Sequence, residues 1–99
     1  MAAYVISEVD VIDEDLASTY RTLAAASIAA YGGRYLARGA EANVIEGAPT
    51  TRRIVIIEFS SMERARAWYA SPLYAEALKI SASALDRRLT FVEGIAPPA

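Results

Sequence analysis

The chain has 99 residues with no cysteine and no histidine, which excludes disulfides, thiolate nucleophiles, Ser-His-Asp triads and ordinary zinc sites and leaves room for one domain. A composition that is 55% apolar and 22% charged is globular, not disordered. The net charge of −2, with basic residues scattered apart from Arg52-Arg53 and Arg87-Arg88, is too small to point to a nucleic-acid or polybasic membrane partner.

Residues 3–11, AYVISEVDV, are rich in Val and Ile and read as a strand. The start of the chain lacks a basic stretch and soon meets Glu8 and Asp10, so it does not read as a signal peptide. Asp13 offers a helix N-cap, and Glu14 and Asp15 put negative charge in the first turn, where the helix dipole favours it. Leu16, Tyr20, Leu23, Ser27 and Tyr31 follow at three- and four-residue steps, which predicts an amphipathic helix stopped by Gly32-Gly33.

Residues 34–46 read as a strand interrupted near Gly39-Ala40, where a bulge or sharp bend is expected. Gly47-Ala48-Pro49-Thr50 is a turn, and residues 52–59, RRIVIIEF, carry the strongest strand signal, so the two strands form a hairpin. Ser60 or Ser61 caps a second helix, with Glu63 at capping-box spacing from Ser60 and an apolar stripe of Met62, Ala65, Trp68 and Tyr69. Ser71-Pro72 breaks that helix and starts another, which runs over residues 73–85. Residues 87–95 form the last strand, and Pro97-Pro98 ends the chain. No apolar run approaches the ~20 residues needed to cross a bilayer.

The order β, α, β, β, α, β predicts a single α+β domain over residues 1–99, with helices on one face of a four-stranded antiparallel sheet. The opposite face of such a sheet meets water only if its strands alternate strictly between apolar and polar residues. These do not. Ile54 and Ile56 oppose Val55, Ile57 and Phe59, Leu89 and Phe91 oppose Val92, and Tyr4 and Ile6 oppose Val5 and Val9. Apolar side chains on both faces imply a homodimer through the open sheet face. The alternative is that the helices splay and cover more of the sheet.

Four stretches carry a family resemblance. They are Ala30–Gly39 (AYGGRYLARG), Glu46-Gly47, Arg53–Phe59 (RIVIIEF) and Ala65–Tyr74 (ARAWYASPLY). Together they resemble the family called domain of unknown function 1330, a branch of the dimeric α/β-barrel superfamily, over Tyr4 to Gly94. Leu73 stands where relatives often carry an acidic residue. The resemblance implies a ferredoxin-like βαββαβ fold in a dimeric α/β barrel. It implies no settled activity, because the wider superfamily spans cofactor-free monooxygenases, lactone isomerases, haem-degrading enzymes and effector-binding domains. The haem-binding branch generally uses a histidine, which this chain lacks.

Glu8, Glu58 and Glu93 lie within strands, where a buried carboxylate must be paired, hydrogen-bonded or protonated. They read either as acids lining a cavity or as structural salt-bridge partners. Arg34 and Arg38 share a face before any bulge and suit a bidentate grip on a carboxylate ligand, or pairing with Glu58 or with acids of a partner chain. Arg52-Arg53 reads as solvated. Trp68, Tyr69 and Tyr74 surround the Ser71-Pro72 break. Trp68 reads as core, and Tyr69 and Tyr74 read as pocket or core, with Tyr20 and Tyr31 able to face the same cleft. Gly32-Gly33 has no phosphate-loop pattern and is explained as a helix stop.

Arg38, Glu58, Tyr69, Tyr74, Trp68 and Tyr20 are therefore the candidate ligand contacts, with no metal, no cofactor and no assigned catalytic residue. Three readings stand. The first is a cofactor-free enzyme acting on a small anionic or aromatic molecule in a sheet–helix cleft. The second is a binding or sensory module using the same cleft, and the third is a purely structural homodimer. Each is expected in the cytoplasm.

Overall fold

A computed structural model describes residues 1–96. Pro97-Pro98, expected to end the chain, lies outside the described residues. The elements are β1 (Ala3–Val11), α1 (Glu14–Ala30), β2 (Arg34–Glu41), β3 (Arg53–Phe59), α2 (Met62–Tyr69), α3 (Pro72–Ala84) and β4 (Leu85–Glu93). The four strands form one antiparallel sheet in the order β2-β3-β1-β4. This is the ferredoxin-like βαββαβ arrangement, with a second helical segment split in two.

Local chemistry sets the helix ends. The Asp13 carboxylate accepts from the Leu16 amide at 3.0 Å and starts α1. Gly32, at a φ of 76°, turns the chain out of it, and the Gly33 amide closes on the Ile28 carbonyl at 2.9 Å. The second helix is capped by Ser61, whose hydroxyl accepts from the Arg64 amide, so the expected Ser60–Glu63 capping box does not form. Ser71 both ends α2 and caps α3. Its Oγ donates to the Trp68 carbonyl at 2.7 Å and accepts from the Tyr74 amide at 3.1 Å.

Period-two alternation divides the sheet. Ala3, Val5, Ser7 and Val9 of β1 face the helices and are buried, beside Val55, Ile57 and Phe59 of β3 and Leu85, Leu89 and Phe91 of β4. Trp68 and Tyr74 complete this core from α2 and α3, with Ile28 from α1. The other face carries Tyr4, Ile6, Ile54, Ile56 and Val92. Its charged residues pair with one another, Arg34 Nε with Glu58 at 2.7 Å and Arg88 Nε with Glu8 at 3.3 Å. Among the described residues no helix covers that face.

The second strand is irregular. Tyr35 opposes Ile57, but the register slips before Ala37, so Arg38 opposes Val55 and joins Tyr35 on the helix side. A second slip falls at Gly39, which takes the positive φ of 87° there. The expected interruption near Gly39-Ala40 is present. It also separates Arg34 from Arg38: strict alternation puts the two arginines on one face, and the first bulge sends them to opposite faces.

Candidate functional site

Small residues leave space between α1 and the sheet. Ala24 on the helix, Ser7 on β1 and Gly39 on β2 line a cleft of about 610 Å³, within the range typical of small-molecule sites. Its floor is β-sheet, with Val9, Val55, Ile57 and Leu89 beside Ser7. Tyr20 and Ile28 of α1 form one wall, Tyr35 and Arg38 of β2 another, and Trp68 reaches the inner end.

The arginines set the charge of this cleft. One row of the sheet runs Arg53–Val9–Arg87 across β3, β1 and β4, and Arg38 lies one row away beside Val55. All three arginines line the cleft. Among the described residues none forms an ion pair with a carboxylate, although Glu41 is the register neighbour of Arg53. Asp10 and Glu14 at the outer end are already engaged, Asp10 by Thr51 and Arg52 and Glu14 by Arg21. The cleft therefore holds more positive than negative charge.

Arg87 is the most enclosed of the three, half-buried where Arg38 and Arg53 are exposed. Its Nη1 donates to the Tyr20 hydroxyl at 2.6 Å and its Nη2 to the Tyr74 hydroxyl at 2.9 Å, and the two phenol oxygens lie 2.6 Å apart. Burial pushes the Tyr20 phenol well above its ordinary ionisation range, with Tyr74 adding to the rise and Arg87 opposing it. Burial works against the Arg87 charge, but contact with the two phenols outweighs it, and its pKa lies above the ordinary value. Both residues thus keep their protons at neutral pH. Burial also raises Tyr35, against the opposing charge of Arg38, whose guanidinium stacks over the ring at 4.3 Å from its centroid.

The sequence candidates separate into groups. Tyr20, Arg38 and Trp68 line the cleft. Tyr74 stands behind Tyr20, wholly buried, with its hydroxyl in the same cluster. Tyr69 is 42% exposed on α2, packed edge-on to Trp68 and Phe91, and does not line the cleft. Glu58 is on the other face of the sheet, held by Arg34. It is a salt-bridge partner and not a cavity acid, because the register puts it on the face away from the helices. Glu8 is likewise paired, with Arg88, and Glu93 is exposed. Tyr31 packs against the core under Arg64, outside the cleft.

Sequence reasoning missed Arg87, Arg53, Ser7 and Tyr35. A signal for Arg87 was present, since Leu85, Arg87, Leu89 and Phe91 alternate as one face of β4. Arg53, read as solvated, is exposed but sits on the cleft side. The described residues hold no group of three or more acids that could bind a metal ion, and no helix among them is long and apolar enough to cross a membrane.

The family model "domain of unknown function (DUF1330)" matches residues 2–95, and the chain belongs to that family. No curated protein matches the sequence. A protein of unknown function from Rhodopseudomonas palustris, RPA0582, has a similar structure, with a TM-score of 0.79 at 17% identity over 97% of this chain and 84% of that one. A dimeric ferredoxin-like protein of unknown function from Thermobifida fusca gives 0.62 at 19% identity, covering 93% and 90%. SnoaB from Streptomyces nogalater, described as a cofactor-independent oxygenase, gives 0.63 at 10% identity, covering 97% and 95%. At these identities the likeness is one of fold.

Proposed function

We propose that this DUF1330 protein is a cytoplasmic, single-domain homodimer that binds a small organic anion, with a flat or aromatic body, in the cleft between α1 and the sheet. One observation carries the binding reading: Arg87 is half-buried in the cleft, fully charged and without a carboxylate partner among the described residues. A half-buried cation with no carboxylate against it leaves a positive field in the cleft, which favours an incoming anion. Arg38 and Arg53, without a carboxylate partner among the described residues, stand at the exposed end of the same cleft and give an incoming carboxylate a place to be held. The apolar walls suit a ring.

The dimer reading rests on the uncovered face. Ile6, Ile54, Ile56, Tyr4 and Val92 form an apolar strip, and its flanking charges are already paired within the chain. Covering such a face with its own copy is self-complementary under two-fold symmetry. The dimeric neighbour from T. fusca supports it.

Thermal shift tests the binding reading, with benzoate and 4-hydroxybenzoate against uncharged benzyl alcohol. A ligand at one hundred times its Kd raises stability by about 2.7 kcal/mol. The acids are expected to raise Tm in the wild type and to lose most of that effect in Arg38→Ala and Arg53→Ala. The reading fails if no acid shifts Tm, or if benzyl alcohol does as well. Cofactor-free proton transfer on the bound molecule is a second reading, favoured by the Tyr20–Tyr74–Arg87 cluster. Turnover of a binding acid, monitored by absorbance, tests it.

A further inference from the structure

The two phenols of the Tyr20–Tyr74–Arg87 cluster hold one hydrogen more than the cluster's hydrogen bonds use. Each phenol owns one hydrogen, and the guanidinium only donates. One phenol hydrogen spans the 2.6 Å contact between the two oxygens. The second has no acceptor among the described residues. If Tyr20 donated to Tyr74, the spare hydrogen would sit on Tyr74, which is wholly buried. Orphaning a buried donor costs about 1–3 kcal/mol. The satisfied arrangement is the reverse: Tyr74 donates to Tyr20, and Tyr20 turns its own hydrogen toward the cleft it lines.

A second uncommitted hydroxyl lies on the floor. Ser7 is only 6% exposed and lines the cleft, yet its Oγ makes no hydrogen bond among the described residues. Its register places it diagonal to Arg87 across β1 and β4, at roughly 7–8 Å between backbones. On Arg87, the Nη1–Nη2 edge is turned to the phenols, Nη1 to Tyr20 and Nη2 to Tyr74. A carboxylate is best met by two parallel donors on such a fork. The hydroxyls of Tyr20 and Ser7 are single donors in the cleft, backed by the positive charge of Arg87, and suit an anion centred on one oxygen.

We propose that the molecule held in the cleft carries a phenolic or enolic oxygen, bound as its anion by the Tyr20 hydroxyl with Ser7 as a second donor. This rests on the cleft being the binding site. The ligand loses its proton to solvent on binding, and no bond between heavy atoms changes. Any carboxylate on the same molecule goes to Arg38 and Arg53 at the mouth.

4-Nitrophenol is the probe, because its anion is coloured and reports its own ionisation. Absorbance titrations would compare wild type, Tyr20→Phe and Ser7→Ala, with benzoate as the reference ligand and thermal melts to verify folding. The wild type should bind the nitrophenolate about tenfold or more tighter than neutral nitrophenol, lowering the apparent pKa of the bound probe. Losing a hydrogen bond to a charged oxygen should cost Tyr20→Phe at least about tenfold in nitrophenolate affinity, a clearly larger loss than in benzoate affinity. Ser7→Ala, on a different element, gives a separate reading of the same discrimination if Tyr20→Phe does not fold. A folded Tyr20→Phe that binds nitrophenolate like the wild type overturns the proposal. So does a wild type that binds benzoate but not nitrophenolate, or a Ser7→Ala, standing in for an unfolded Tyr20→Phe, that discriminates like the wild type. If neither probe binds, the cleft reading itself falls, and this proposal falls with it.

Discussion

The indole Nε1–H of Trp68 donates to the Oγ of Ser27 across 2.9 Å, with both side chains almost wholly buried. The Ser27 hydroxyl in turn donates to the Ala24 carbonyl at 2.7 Å. This contact ties α2 to α1 at the inner end of the cleft, where Trp68 stacks on Phe59 and Tyr74. Ser27→Ala leaves the indole hydrogen without its partner, and the expected loss is about 1–3 kcal/mol in urea unfolding. An unchanged midpoint would mean that Trp68 finds another acceptor.

Gly33→Ala is expected to destabilise by about 1–3 kcal/mol through overpacking. A Cβ there would fall 2.7 Å from Phe59 Cε1 and 2.8 Å from Ile28 Cγ2, both fixed in the core. Backbone conformation is not the reason, because Gly33 does not have a positive φ. Calorimetric Tm of the variant checks this.

Glu58→Gln is expected to leave both fold and ligand response nearly intact. Its partner Arg34 is mostly exposed, so the pair contributes about 0–1 kcal/mol, and it lies across the sheet from the cleft. Arg38→Ala should show the opposite pattern, with an unchanged melt in buffer and a lost shift with benzoate. Equal loss of ligand response in both variants would place the binding site elsewhere.

Ile56→Arg probes the uncovered face. Ile56 lies beside Ile6 at its centre, and a guanidinium there meets its own symmetry mate or apolar neighbours. Light scattering should give half the wild-type mass, with circular dichroism unchanged. A wild type that already scatters as a monomer removes the dimer.

Alkaline pH should expose Tyr20. Its folded pKa is raised, first by burial, so the folded state keeps a proton that the unfolded chain releases near pH ~10. The stability this contributes is complete below that pH and is lost as pH rises above it, at up to about 1.4 kcal/mol per pH unit. Tyr20→Phe should remove that slope in urea titrations between pH 9 and 11. Tyr35, raised by its own burial, leaves a smaller residual slope. An identical slope in the variant would show that Tyr20 ionises freely in the folded protein.

The element order, the helix caps and the two apolar faces of the sheet were legible in the sequence because each depends on neighbours within a few residues. Asp13, Ser71 and Gly32 act on backbone groups a turn away, and period-two alternation needs only a strand to express it. Membership of the family was legible for the same reason, since its motifs are short runs in order. The composition of the site was not. Arg38 reaches the cleft because a bulge in β2 reverses its face, and a bulge is a fact about two strands in register. Glu58 dropped out for the matching reason, as pairing with Arg34 happens on the side that the register chose. Arg87 and Tyr20, 67 residues apart, meet only after β4 takes its place beside β1 and α1 lies across the sheet. Hydrogen-bond partners at that separation follow from packing in three dimensions, which local sequence pattern does not encode.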